Sequence, residues 1–120
     1  MSCIFCKIVA ENKHVLSNDS AILITAKDVM APHHKLVISK EHFCNVGELG
    51  GLDMAGILYN MFYLIQTYAQ DHGLDESGYR LVINTGKDAG QTIQHLHIHL
   101  LGGSPLQNEF GAIKNESILR

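Results

Sequence analysis

Three histidines recur at every second position, His95, His97 and His99, separated by Leu96 and Ile98 and followed by Leu100 and Leu101. Neutral imidazole is a nucleophile near pH 7 and also a metal ligand, so this cluster has the means to attack a phosphorus atom or to bind a transition metal. The period of two is that of a strand, which sends the three imidazoles to one face and Leu96, Ile98 and Leu100 towards the core. Residues two apart on a strand lie roughly 6–7 Å apart along its axis, so the row is long enough to meet one phosphate-sized group. A single strand histidine is usually solvated or hydrogen-bonded, and a pair is a common metal couple. Three in alternation behind Gly90-Gln91-Thr92 form a more specific pattern.

A second group with chemical potential lies at the start of the chain, Cys3-x-x-Cys6. On its own this spacing fits a redox pair, a metal site or two inert thiols. A closed structural zinc site takes four N or S ligands, so two more would have to come from elsewhere in the fold.

The elements that must position these groups follow from periodicity. Residues 3 to about 11 read as a short helix with Ile4, Phe5, Ile8 and Val9 on one side. Residues 14–16 and 21–25 are β-rich runs around the turn composition of 17–20, a hairpin whose second strand is expected to be central. Pro32 biases Ala31 towards extended geometry and closes a loop over 28–33, from which a third strand, 34–39, departs. His34 opens that strand, where a lone histidine would be read as a surface residue. Residues 52–72 are the longest periodic segment, with Met54, Ile57, Leu58, Met61, Leu64, Ile65 and Tyr68 on one stripe and Gly73 as the stop. Ala55, Tyr59, Phe62 and Tyr63 make much of the rest of this helix apolar, which calls for a second partner and motivates a homodimer. A fourth strand spans 78–84, and Gly86 and Gly90 in the loop 85–92 allow backbone N–H groups to turn inward on an anion. The tail, 104–120, has no strong period.

The chain of 120 residues is expected to form one domain, 1–120, with its core at about 3–103. A net charge of −3 with no basic stripe gives no footprint for nucleic acid or a membrane surface, so the partner should be small. The N-terminus lacks the pattern of a signal peptide and no run reaches a membrane span, which leaves a cytoplasmic location as the expectation. Three cysteines, an odd number, argue for reduced thiols or a metal site over a disulfide framework.

His95-Leu96-His97-Ile98-His99-Leu100-Leu101 resembles, at every position, the HxHxHxx hallmark of the histidine triad (HIT) family of nucleotide hydrolases and transferases. Gly102-Gly103 behind it resembles the histidine triad nucleotide-binding branch, where the dinucleoside polyphosphate hydrolases carry Pro-Arg. Ala31-Pro32-His33-His34-Lys35-Leu36-Val37-Ile38 is similar to the family segment that brings a fourth histidine, His34, beside the triad. The resemblance implies an α+β HIT-like fold: an antiparallel five-stranded sheet with a short N-terminal helix and one long central helix, the sheet extended across a homodimer. It also implies cleavage of purine nucleoside 5′-phosphoramidates, with AMP, GMP or their phosphoramidate derivatives as ligands, through a nucleotidyl intermediate on His97. His99 and His34 would flank the phosphate. Asn84, Gly90, Gln91 and Thr92 match the family's phosphate-side residues, Thr92 standing where serine is common. The family's ribose-binding Asp lies eight residues before the fourth histidine; here Ala26 holds that position and Asp28, six before His34, is the nearest candidate.

Some bacterial HIT proteins resemble this chain in pairing such cysteines with a histidine after the third strand and the first triad histidine, which implies a structural zinc on Cys3, Cys6, His42 and His95, with no cofactor required for catalysis. Cys44 would be a buried spectator or replace His42. Three rival readings stand beside phosphoramidate hydrolysis: a nucleotide-sensing module with little turnover, a dinucleoside polyphosphate hydrolase or nucleotidyl transferase, and a metal enzyme using the three-histidine row as its ligands.

Overall fold

Apolar runs in the inner strands, at 21–24 and 36–38, give this chain a sheet with two covered faces, one under each helix. The computed structural model describes residues 3–51 and 54–106. Five antiparallel strands form the sheet: β1 (Leu16–Ser17), β2 (Ala21–Thr25), β3 (His33–Ser39), β4 (Tyr79–Val82) and β5 (His97–Gly102), in the order β1-β2-β3-β5-β4. The short helix α1 (Ile4–Ala10) lies on one face and the long helix α2 (Ala55–Asp71) on the other, followed by one turn of helix, α3 (Leu74–Ser77). The α+β architecture expected from the sequence is the observed one. Leu52 and Asp53, where the long helix was expected to begin, and most of the tail lie outside the described residues.

The middle strand is β3; β2 sits one place in from the edge, between β1 and β3. Local pattern marks a strand as buried on both faces, which β2 is, but the long-range pairing of β3 with β5 decides the centre. Their register sets Ile38 opposite His97, Leu36 opposite His99 and His34 opposite Leu101. All six side chains share the α1 face, since Leu36 and Ile38 pack there with Phe5, Ile8 and Val9. On the other face Val37, Ile98 and Leu100 meet Met61, Leu64, Ile65 and Tyr68 of α2. Each such side chain contributes about 1.5–3 kcal/mol by leaving water, which fixes the strand faces. A slip of one residue would drive the histidines into this apolar layer.

Turn chemistry supports the same arrangement. Asn18 Oδ1 accepts the N–H groups of Ser20 and Ala21, both at 3.1 Å, and closes the β1–β2 hairpin. The Asn18 side chain donates to Asn60 O at 2.9 Å, fastening the hairpin to α2. Gly73, at φ 73°, ends α2 as expected. The second apolar face of α2 remains open, with Tyr59, Phe62 and Tyr63 exposed. No helix among the described residues is long and apolar enough to cross a membrane.

Gly103 follows β5 at φ 99°, and a Cβ there would lie 2.9 Å from Pro32 Cβ and 3.0 Å from His33 Cδ2. Gly103→Ala is expected to cost about 2 kcal/mol through backbone strain and this overlap. Urea unfolding measures the loss; an unchanged midpoint would refute it.

Candidate functional site

Two histidine groups lie on the α1 face, and they divide the triad between them. The first consists of His34, His99 and His97. The backbone N–H of Met30 donates to His34 Nδ1 at 3.1 Å, so a neutral His34 carries its proton on Nε2. That Nε2–H donates to His99 Nδ1 at 3.0 Å, which in turn leaves the proton of neutral His99 on its own Nε2. His97 has the opposite tautomer. Its Nδ1–H donates to the His95 carbonyl at 2.6 Å, leaving Nε2 with a lone pair. The His97 and His99 rings are 5.3 Å apart between centroids, so a nucleophilic nitrogen and an N–H donor stand side by side.

Burial keeps these rings neutral. Desolvation lowers the pKa of His34 from the ordinary histidine value, and it lowers that of His97 against the opposing pull of the His95 carbonyl. His99 is pushed down to about 4 by desolvation first, then by the proximity of His97 and His34. Near neutral pH the cluster therefore offers an unprotonated His97 Nε2, the form that attacks phosphorus.

His95 belongs to the second group. The sequence pattern sets three imidazoles in one row, but β5 begins only at His97, and His95 lies in the preceding bend, where its N–H donates to Ile93 O at 2.9 Å. The His95 ring is fully buried, its Nε2–H donating to the Ser39 carbonyl at 2.7 Å. Its Nδ1 lone pair then faces Cys3 Sγ at 3.2 Å and Cys6 Sγ at 3.6 Å, while His42 Nδ1 lies 3.3 Å from Cys6 Sγ. One ligand atom from each of Cys3, Cys6, His42 and His95 falls within 4.8 Å of the others, a group that could hold a metal ion. Four-coordinate metal–S and metal–N bonds of about 2.3 and 2.0–2.1 Å place S and N ligands roughly 3.5 Å apart, which the three S–N contacts of 3.2, 3.3 and 3.6 Å match. A backbone carbonyl holding the far ring nitrogen is the usual support for such a ligand. Ser39 supports the ring mainly through its carbonyl, and its hydroxyl, which donates to Glu41 O at 2.7 Å, lies 3.3 Å from the same His95 nitrogen. Cys44 is half-buried and outside the group.

The phosphate-side residues are distributed unevenly. Gln91 is buried, and its amide is engaged with main chain: Oε1 accepts Gly86 N–H at 2.8 Å, and Nε2 donates to Cys44 O at 2.7 Å and Ile93 O at 2.9 Å. Gly86 and Gly90 both have φ 83°, as a tight loop requires. The N–H groups of Ala89 and Gly90 donate to Gly86 O and Lys87 O, and that of Gln91 to Gly86 O. These donors close the loop on itself and do not point at an anion. Asn84 is half-buried, whereas Gly90 and Thr92 are exposed. Thr92 lines a cavity of about 890 Å³ together with Cys3, Cys6, His42 and Cys44. Asp28 is exposed on the bend after β2. Gln91→Ala is expected to cost about 2 kcal/mol, because it strands two half-buried carbonyls and an N–H. Denaturant melts test this, and a loss below a few tenths of a kcal/mol would contradict it.

Residues 7–106 match the family model described as HIT domain. An uncharacterized HIT-like protein of Chlamydia muridarum is 39% identical over 109 residues, covering 88% of this chain and 85% of that protein. Protein HitA of Neisseria gonorrhoeae is 35% identical over 104 residues, 84% of this chain and 95% of its own length. Among solved structures, a HIT family hydrolase from Clostridium thermocellum is 39% identical with a TM-score of 0.83, covering 90% of this chain and 96% of that one. A histidine triad protein from Clostridium difficile has the same TM-score of 0.83 at 32% identity, with coverage of 90% and 96%. With the model match spanning most of its length and the histidines arranged as described, the chain belongs to the HIT domain family.

Proposed function

We propose that this protein hydrolyses purine nucleoside 5′-phosphoramidates through a covalent nucleotidyl intermediate on His97. The observation that carries the reading is the pair of opposite tautomers: His97 Nδ1–H held by the His95 carbonyl, and a His34–His99 pair that turns an N–H outward beside it. His97 Nε2 attacks the α-phosphorus, the N–P bond forms and the P–N bond to the amine breaks. The departing amine needs a proton. An anionic phosphate favours the charged form of the His34–His99 pair: the extra proton takes His34 Nδ1 or His99 Nδ1 in place of the bond from Met30 N–H or His34 Nε2–H, and His99 Nε2–H then delivers a proton to the amine. Water then attacks phosphorus, the His97–P bond breaks and the water's proton returns to His99. The half-buried Asn84 and the exposed Gly90 and Thr92 are assigned to the phosphate and leaving-group side, and Asp28 to the ribose. The purine preference and the homodimer rest on family resemblance, the latter supported by the exposed aromatic face of α2.

Cys3, Cys6, His42 and His95 would hold a structural zinc. Two thiolates and two imidazoles suit zinc, which takes closed tetrahedral sites of this composition and contributes folding energy there. With all four positions supplied by protein, the zinc would have no open position for a phosphate oxygen and would serve structure. A cytoplasmic location, where thiols stay reduced, would suit both the site and the cluster.

The deciding experiment follows adenosine 5′-phosphoramidate and a dinucleoside polyphosphate side by side, with intact mass after a rapid, acid-free quench. Release of AMP from the phosphoramidate and a transient mass gain of one adenylyl group are the expected results. Binding of AMP without turnover of either compound would instead make the protein a nucleotide-sensing module.

A further inference from the structure

The segment Cys3-Ile4-Phe5-Cys6 sets an aromatic ring between two of the candidate metal ligands. Phe5 is buried, and its ring meets His95 edge-on at 5.8 Å and 83°, and His97 at 5.2 Å and 74°. His95 divides its own polar atoms, with Nδ1 facing Cys3 and Cys6 and the carbonyl accepting His97 Nδ1–H. Two routes therefore run from the Cys3–Cys6–His42–His95 group to the ring of His97, one through the His95 main chain and one through Phe5.

We propose that this group is a positioning device for His97, and that Phe5 is the positioning residue through which metal loading holds the ring. The inference rests on His97 being the nucleophile. One hydrogen bond at Nδ1 fixes the tautomer of an imidazole but lets the ring roll about that bond. Phe5 and His99, at centroid distances of 5.2 and 5.3 Å, bracket it against that roll. Phe5 can do so only while α1 is held, and α1 has just 7 residues, too few to be stable alone. Among the described residues, besides the packing of Phe5, Ile8 and Val9, α1 and its N-cap Cys3 are tied to the rest of the fold by the two thiols at His42 and His95. A metal held by both thiolates and both imidazoles would replace these weak contacts by strong ones, and so would tighten the helix that carries Phe5.

The test combines Phe5→Leu with zinc removal by chelator, in all four combinations, on the full-length protein. Zinc content, AMP affinity by calorimetry and the single-turnover rate of adenylyl transfer from adenosine 5′-phosphoramidate are read for each. Phe5→Leu is expected to keep one zinc per chain and AMP affinity within about threefold, while slowing transfer about tenfold to a hundredfold, as ångström-scale misplacement does. Stripping zinc from the parent should slow transfer by a similar factor, and stripping it from Phe5→Leu should add little, because both act through one contact. Factors that multiply, a stripped parent at full rate, or AMP affinity falling in step with the rate would each overturn the proposal. Should Phe5→Leu fail to fold, Phe5→Met replaces it. If the zinc-loaded parent forms no adduct, the nucleophile reading fails separately. The ¹⁵N spectrum of His97 then decides the positioning claim: an ordered Nδ1–H ring only when loaded supports it, and identical spectra overturn it.

Discussion

His97→Ala is expected to lower turnover of adenosine 5′-phosphoramidate by about ten-thousand-fold or more, the scale on which loss of a covalent nucleophile is felt. AMP binding and zinc content should survive, since His97 supplies no ligand to the Cys3–Cys6–His42–His95 group and, on the proposed function, its ring would be one of several facing the phosphate. His99→Ala should cost less, roughly a hundredfold, because it removes a proton donor and leaves the attacking nitrogen. His95→Ala should behave differently again and lose the metal, as its Nδ1 faces both thiols. Rates, metal content and adduct mass on these three variants separate nucleophile, donor and ligand. A His97→Ala protein within tenfold of the parent, or one still carrying an adenylyl group, would refute the covalent route.

These distinct roles were only partly legible in the sequence. Periods of 3.6 and 2 locate α1, α2 and the strands because burial on one face selects those patterns, and they separate the imidazole face of β5 from the Ile98–Leu100 face correctly. The same period overreaches at His95, since a repeat of two reads a strand through a residue that lies before β5. Its membership of a different group depends on Cys3 and Cys6, about ninety residues away in sequence, which periodicity cannot see. Gln91 was legible as a motif residue but not in its use. Whether an amide meets a ligand or three main-chain groups is decided by the closure of loop 86–93 against Cys44. Met30 acts through an N–H, which no residue type signals, and Ser39 acts chiefly through a C=O, with its hydroxyl 3.3 Å from the same His95 nitrogen.

Acid should destabilise the protein steeply between pH 6.5 and about 4, and His99 supplies the sign and much of the size. An unfolded histidine titrates near 6.5, whereas His99 in the fold is pushed down to about 4 by burial and by the neighbouring His97 and His34. Between those values the unfolded chain binds the extra proton, so stability rises with pH across this window. The contribution is complete above 6.5 and is lost as pH falls towards 4. At about 1.4 kcal/mol per pH unit this amounts to at most on the order of 3 kcal/mol for His99, and less to the extent that water reaches its half-buried ring. His34 adds loss of the same sign, because its pKa is also lowered by burial and protonating Nδ1 would break the bond from Met30 N–H. Against a typical domain stability of about 5–15 kcal/mol this is a large fraction. Urea unfolding of the parent and of His99→Gln at pH 7.5, 6, 5 and 4.5 isolates the effect: the parent should lose stability faster with falling pH, and parallel curves would exclude His99 as the cause. The same titration bears on mechanism. If an anionic phosphate restores the proton affinity of His99, AMP binding near pH 6 must take up a proton, visible as a dependence of the calorimetric heat on buffer ionisation enthalpy. A heat independent of buffer would leave the ring neutral in the complex and remove His99 as the source of the amine's proton.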